Sequence, residues 1–167
     1  MVDQWEFDNG RVRVLFVCTG NICRSPTAEG VFRQMVREAN LAERIAVESA
    51  GLHDYNAGKP PDPRSCAVAW SRGYRIDDVR ARKVSSGDLQ HFDLVLAMDR
   101  GHHQALSQLL SPAQGNCLRL FLDFAPETGV QDVPDPYYGG PDDFLHVFDL
   151  IEAGCRGVLD GLRKTLR

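Results

Sequence analysis

The sequence predicts a single α/β domain: a parallel four-stranded sheet in doubly wound, flavodoxin-like order, with helices on both faces and a phosphate-binding loop after the first strand. Three observations carry this. Apolar, β-branched runs alternate with segments whose apolar residues recur at helical spacing, which is the pattern of a parallel sheet wrapped by crossover helices. A chain of 167 residues with 43% hydrophobic content is large enough for one sizeable core and too short for two ordinary domains. The turn after the first run, VCTGNICRSP, is rich in residues that expose backbone N–H groups at the start of a helix.

The elements follow in order. Residues 1–10 form an N-terminal extension, and the domain spans 11–167. Arg11 to Val17 (RVRVLFV) is the first strand, and Ala28, Val31, Phe32, Met35, Val36 and Ala39 mark the buried face of the helix after it. Ile45 to Ser49 forms a second strand. Asp62 and Pro63 are an N-cap and first-turn proline opening a helix through Cys66, Ala69 and Trp70 to Gly73. Phe92 to Met98 is the third strand, Gly101 to Leu110 the third helix, and Cys117 to Phe121 the fourth strand. A long C-terminal helix is apolar along Phe144, Phe148, Ile151, Cys155, Leu159, Leu162 and Leu166. Arg163, Lys164 and Arg167 lie in its last turns, where the helix dipole favours cations.

Composition excludes several classes of function. No window approaches the roughly 18 consecutive apolar residues of a membrane helix, and the acidic start MVDQWEFDNGR is unlike a signal peptide, so a cytoplasmic protein with no membrane partner is expected. A net charge of −4 gives no global attraction to nucleic acid. The basic run Arg72, Arg75, Arg80, Arg82, Lys83 is interleaved with Asp77 and Asp78, as on a solvated face. Five cysteines, an odd number, point to reduced thiols, with Cys66, Cys117 and Cys155 expected as buried structural ones. Adjacent His102 and His103 cannot share a helix face, and Cys18-x4-Cys23 lacks a second ligand pair, so neither a metal nor another cofactor is expected.

In a doubly wound sheet the site lies beyond the carboxyl ends of the strands, where strand order reverses, and Cys18 stands there. Ser25 and Pro26 read as the N-cap and first turn of the helix, so the loop Thr19, Gly20, Asn21, Ile22, Cys23, Arg24, Ser25 should turn its N–H groups to a common centre. Those groups and the positive helix end favour the thiolate form of Cys18. Gly20 supplies a positive φ, Asn21 tolerates one or hydrogen-bonds the turn, and Arg24 offers a planar fork to two oxygens of a tetrahedral dianion. A nucleotide-binding loop would need G-x-x-x-x-G-K-[ST], and no lysine occupies this turn.

Cys-x5-Arg-Ser within VCTGNICRSPTAEG closely resembles the low-molecular-weight protein tyrosine phosphatases. The resemblance continues in ESAGL (48–52), GKPPDPR (58–64), RARKV (80–84), FDLVLAMD (92–99) and DPYYGG (135–140), in the family's order. It implies Cys18 as nucleophile, Arg24 as phosphate ligand, and Asp135, stiffened by Pro134 and Pro136, as general acid and then base. Asn21, Ser25 and Ser49 match positions that brace the loop, while Val79 stands where the family often has a histidine. Tyr55, Tyr137 and Tyr138, with Ile22, match the walls of an aromatic cleft for a phosphotyrosyl ring. Threonine is typical at position 22 in the family's arginine phosphatases, so Ile22 favours phosphotyrosine.

The resemblance also implies that Cys23 can trap an oxidised Cys18 as a disulfide, and that the partners are phosphotyrosyl proteins, a tyrosine kinase among them. The expected state is a monomer or weak dimer. Tyr137 and Tyr138 are themselves candidate phosphorylation sites. A thioredoxin-coupled arsenate reductase is the rival enzyme, but it relays oxidation through two further cysteines after the third strand, where DRGHHQALSQLL has none, and DPYYGG is retained. A non-catalytic phosphate-binding module would be expected to lose the nucleophile, the arginine or the acid, and all three are present.

Overall fold

The computed structural model describes residues 7, 10–111 and 117–166. Most of the expected N-terminal extension, and Arg167, lie outside the described residues. Four strands form one parallel sheet: β1 (Val12–Cys18), β2 (Ile45–Gly51), β3 (Leu94–Ala97) and β4 (Leu118–Leu120), in the order β2-β1-β3-β4. The helices are α1 (Arg24–Glu38), α2 (Pro63–Ser71), α3 (Ser86–His91), α4 (Arg100–Ser107) and α5 (Pro141–Thr165). Short 3₁₀ turns occupy Phe121–Phe124 and Pro126–Thr128. Among the described residues no helix is long and apolar enough to cross a membrane.

β1 is central, and its alternating side chains feed two cores. Val12, Val14 and Phe16 face α1, α2 and α5, whereas Leu15 and Val17 pack with Leu89 of α3 and Leu106 of α4 on the other side. Phe16 meets Phe32 of α1 and Phe121 edge-on, at ring centroid distances of 5.7 and 5.4 Å. Because the strand is buried on both faces, it reads as a nearly unbroken apolar run rather than an alternating one.

Some boundaries differ from expectation, each for a local reason. β1 and β2 run on to Cys18 and Gly51, because their parallel register continues through Cys18 opposite Gly51. β3 starts at Leu94, not Phe92: the Asp93 N–H still donates to the Arg13 carbonyl (2.9 Å), but the Arg13 N–H is taken by the Asp93 side chain at 2.8 Å. α3 was not anticipated; its six residues are too few to show a period, and it is specified by a capping box between Ser85 and Asp88. Asp62 caps α2 as expected, accepting from Arg64 N–H, but Trp70 is 73% exposed and only Ser65 and Ala69 of this helix are buried. Cys155 is buried, whereas Cys66 and Cys117 are only partly so. The basic run after α2 is paired with acids: Arg72 with Asp149, Arg75 with Asp77 and Arg82 with Asp88.

α5 lies close against the 3₁₀ turn, and glycine makes the approach: a Cβ on Gly157 would collide with the Phe124 carbonyl, and one on Gly154 with the Phe121 ring. Gly→Ala in a helix interior ordinarily stabilises by up to about 1 kcal/mol. Here the sign should reverse, with Gly157→Ala lowering urea-unfolding stability by about 1–3 kcal/mol, the usual cost of overpacking.

Candidate active site

The switch in strand order falls between β1 and β3, and the site is built at their carboxyl ends. β1 ends on Cys18, β3 leads into Asp99, and the backbone bond from Val133 N–H to Met98 O (2.9 Å) draws the segment carrying Asp135 to the same point. A cleft of about 410 Å³ opens there, lined by Cys18, Arg24, Ile22, Asp135 and the three tyrosines 55, 137 and 138.

The loop from Thr19 to Cys23 curls beneath Cys18. Asn21, not Gly20, takes the left-handed conformation (φ 57°), correcting the expectation for Gly20. Glycine is needed at 20 for space, since a Cβ there would lie 2.6 Å from Asn56 Nδ2 and 3.3 Å from the Tyr55 ring. The Asn21 amide holds the strained turn through three side-chain hydrogen bonds. Nδ2 donates to Ser25 Oγ (2.7 Å) and Ser49 Oγ (3.0 Å), while Oδ1 accepts from Arg82 N–H (3.0 Å).

These bonds set the direction of the rest. Ser25 Oγ, accepting from Asn21, lies 3.0 Å from Cys18 Sγ, so its own proton can point to the sulfur. Asn21 N–H donates to the same sulfur at 3.3 Å. Both contacts set a hydrogen-bonding group against the sulfur. The N–H groups of Gly20, Ile22 and Cys23 make no hydrogen bond among the described residues, leaving them for an anion at the amino end of α1. Ser25 is not the helix cap: Cys23 occupies that position, and the Ser25 hydroxyl is drawn inward by Asn21 and Cys18 instead.

Arg24 is 3% exposed, and its buried charge is held from several sides. Nη1 donates to Asp99 Oδ2 and to Val133 O, both at 3.0 Å, and Nη2 donates to Thr19 Oγ1 at 3.2 Å. Asp135 Oδ2 stands 3.7 Å from Nη2. Nε–H and one Nη2 hydrogen make no hydrogen bond among the described residues, and this edge fits two oxygens of a phosphate. Asp135 itself is about half exposed, and Oδ1 accepts from Tyr137 N–H at 3.1 Å, which aims the other oxygen toward the cleft.

The walls gather the other expected residues. Tyr137 and Tyr138 meet edge-on at 4.9 Å, and Tyr55 stacks on His53 at 5.3 Å. Tyr138 is 94% exposed, so its ring is rim rather than floor. Val79 is buried and its side chain takes no part in the polar network, which runs from Ser49 Oγ to Glu29 Oε1 (2.8 Å) and on through Arg33 to Asp78. Burial raises the Glu29 carboxyl above its usual range, against the lowering effect of that bond.

Glu29, Asp99, His102 and Val133 are site residues that the sequence reading missed. Asp99 had a signal: it follows β3, next to β1, and caps α4 through His102 N–H at 2.8 Å. His102 is buried, with Nε2 2.7 Å from Thr19 Oγ1, and burial beside Arg24 pulls the imidazole down to about 4.

Cys23 sits under the loop, and burial, reinforced by Asp62, pushes its thiol up to about 12. At pH 7 its thiolate fraction is therefore on the order of 10⁻⁵. Brief iodoacetamide treatment of Cys18→Ser protein at that pH should leave Cys23 unmodified, as read by peptide mass mapping.

Known proteins share this arrangement. The family model described as low molecular weight phosphotyrosine protein phosphatase matches residues 13–167. A low molecular weight protein-tyrosine-phosphatase of Streptomyces coelicolor is 42% identical over 158 residues, covering 92% of this chain and 95% of its own. The crystal structure of a protein tyrosine phosphatase from Entamoeba histolytica superposes with a TM-score of 0.88 at 36% identity, over 92% of this chain and 97% of that one. YfkJ from Bacillus subtilis gives a TM-score of 0.88 at 35% identity, over 95% and 98%. With a matching family model over nearly its whole length, and Cys18 and Arg24 in the phosphate-loop position, this chain belongs to the low molecular weight phosphotyrosine protein phosphatases.

Proposed function

We propose that the chain hydrolyses phosphotyrosine in proteins through a cysteinyl-phosphate intermediate. The observation that carries this is the meeting, in one cleft, of a sulfur receiving polar contacts, a buried guanidinium with a free edge, and a carboxylate at the rim.

The phosphate dianion binds to the loop N–H groups and the free edge of Arg24. Cys18 Sγ attacks phosphorus in line with the tyrosyl oxygen; the S–P bond forms as the P–O bond breaks. Asp135, protonated, gives its proton to the departing phenolate. A water then attacks phosphorus, Asp135 takes its proton, and the S–P bond breaks to release phosphate and the Cys18 thiolate. Through both steps Arg24 and the loop amides stay on the equatorial oxygens, where transition-state charge is spread. Asn21, Ser25 and Ser49 brace the loop, and the Ser25 hydroxyl favours the thiolate on departure. Neither step requires a cofactor.

Tyr55, Tyr137 and Tyr138, with Ile22, form walls that accept an aromatic ring and hold a shorter phosphoserine away from Cys18. Ile22 favours phosphotyrosine over phosphoarginine. The natural partners are then phosphotyrosyl proteins, a tyrosine kinase among them, met by a monomer or weak dimer in the cytoplasm. Cys23 lies beside the nucleophile and captures a sulfenic acid formed on Cys18 by peroxide: its sulfur attacks as the rare thiolate, water leaves, and the disulfide forms at a rate that rises with pH. Mild peroxide should therefore inactivate the enzyme reversibly by dithiothreitol, and Cys23→Ser should make the loss irreversible.

Phosphate release from a phosphotyrosyl peptide is the direct test, with phosphoseryl and phosphoarginyl substrates alongside. Turnover should be confined to phosphotyrosine and absent in Cys18→Ser. Asp135→Asn should lower kcat about 10²- to 10⁴-fold, the usual share of general acid–base catalysis. It should also flatten the alkaline fall in rate, because the remaining residue has no proton to lose. Dominant phosphoarginine turnover would reverse the reading of Ile22, and arsenate-dependent thioredoxin oxidation without phosphatase activity would favour a reductase.

A further inference from the structure

His102 is a buried titratable group that takes no part in the chemistry above, yet it is joined to that chemistry by one hydroxyl. It stands in the first turn of α4, its N–H bonded to the cap Asp99. Its ring is bracketed by two groups: Nε2 is 2.7 Å from Thr19 Oγ1, and Nδ1 is 3.1 Å from Asp99 Oδ1, out of line for a hydrogen bond. Both neighbours also hold Arg24, Thr19 on Nη2 and Asp99 on Nη1.

Counting protons decides how this set works. Thr19 Oγ1 accepts from Arg24 Nη2, so one lone pair is used and its own proton has to go elsewhere. If Nε2 carried the imidazole proton, the bare Nδ1 would sit 3.1 Å from the Asp99 carboxylate, two negative ends that repel even out of line. With the proton on Nδ1, a partial positive charge faces Asp99 and Nε2 is free to accept the Thr19 hydroxyl proton. We infer that His102, neutral and protonated on Nδ1, is a positioning residue for phosphate binding: by taking the Thr19 hydroxyl proton it turns the Thr19 lone pairs to Arg24 and fixes which guanidinium edge faces the phosphate. This deepens the phosphatase reading and rests on it.

The surroundings keep the imidazole neutral. Burial and the Arg24 cation of α1 act against protonation, while Asp99 at the cap of α4, and Asp132 and Asp135 from the segment before α5, favour it. The balance leaves it at about 4. Protonation would make Nε2 a donor, reverse the Thr19 bond and set a second cation beside Arg24. The folded-state value lies below the unfolded value of about 6.5, so this group's contribution to stability is complete above pH 6.5 and falls as pH drops toward 4.

The test combines variants with a spectrum. Wild type and Cys18→Ser are first assayed on a phosphotyrosyl peptide, which tests the phosphatase reading separately. His102→Leu removes the acceptor and should lower kcat/KM about tenfold, the scale of a hydrogen bond to a charged group. His102→Gln offers Oε1 near the place of Nε2 and should recover most of that loss. In a Thr19→Val background, His102→Leu should cost less than twofold more, because the residue acts through the missing hydroxyl. Long-range ¹⁵N–¹H spectra of wild type, which need no variant to fold, should show a neutral Nδ1–H imidazole down to pH 5. Should wild type turn over no phosphomonoester, the same variants titrated with inorganic phosphate, followed by loop amide shifts, should show the same order in affinity. Equal losses in Leu and Gln, independent losses at Thr19 and His102, or an Nε2–H ring titrating near 6.5 would each overturn the inference.

Discussion

The site depends on a guanidinium that is buried before any substrate arrives. Taking the Arg24 charge out of water is tolerable only because Asp99 neutralises it and the Val133 carbonyl and Thr19 hydroxyl satisfy further N–H groups. Those partners come from three separate parts of the chain: the turn after β1, the cap of α4 and the loop before α5. Meeting the needs of one cation therefore assembles the cleft. The Val133 contact also fixes the segment that carries Asp135, so the demand that positions the phosphate ligand brings the acid within reach of the same phosphate.

A second constraint works beneath the sulfur. The loop needs a tight turn, and Asn21 accepts a left-handed backbone there because its amide is engaged on both sides. Asn21 Nδ2 donates to Ser25 Oγ, whose own proton has two acceptors in reach, Cys18 Sγ at 3.0 Å and the Ala50 carbonyl at 3.4 Å. Ser49 carries the network outward to Glu29 on α1, whose other oxygen accepts from Arg33. The buried valine at position 79 offers that carboxyl no side-chain hydrogen bond. Glycine at 51 completes the cradle: a Cβ there would lie 2.9 Å from the Thr19 carbonyl and 3.0 Å from Asn21 N, so β2 can approach the loop only without a side chain.

Electrostatics divides the two cysteines of the loop. Cys18 has the Asn21 N–H and the Ser25 hydroxyl against its sulfur at the amino end of a helix, whereas Cys23, five residues on, is buried near Asp62 and stays a thiol. The distinction comes from which groups face each sulfur, not from distance along the chain. Arg64 shows the same economy of contacts on the outer wall: it pairs with Asp62 and lies over the rings of Tyr137 and Phe144, tying α2 to the loop that bears the acid.

Much of this was legible in the linear sequence because it is local. The apolar run of β1, the helical spacing after it, and the Asp62-Pro63 start of α2 all express short-range preferences, and the sheet order follows from alternating strands and crossovers. Cys18, Arg24 and the loop between them lie within seven residues, so their chemistry could be read from spacing, and DPYYGG carried Asp135 by resemblance. The rest was decided in three dimensions. Nothing near His102 in the chain tells that its ring meets Thr19, 83 residues away, or that Asp99 faces Arg24 across 75. Ser25 looked like a cap because serine before proline usually is one, but a buried amide and a sulfur competed for its hydroxyl and won. The sequence by itself determined which groups could do the chemistry; only the packing of parallel strand ends decided which of them share a buried, water-poor space, because hydrogen-bond and charge partners are chosen by proximity after folding.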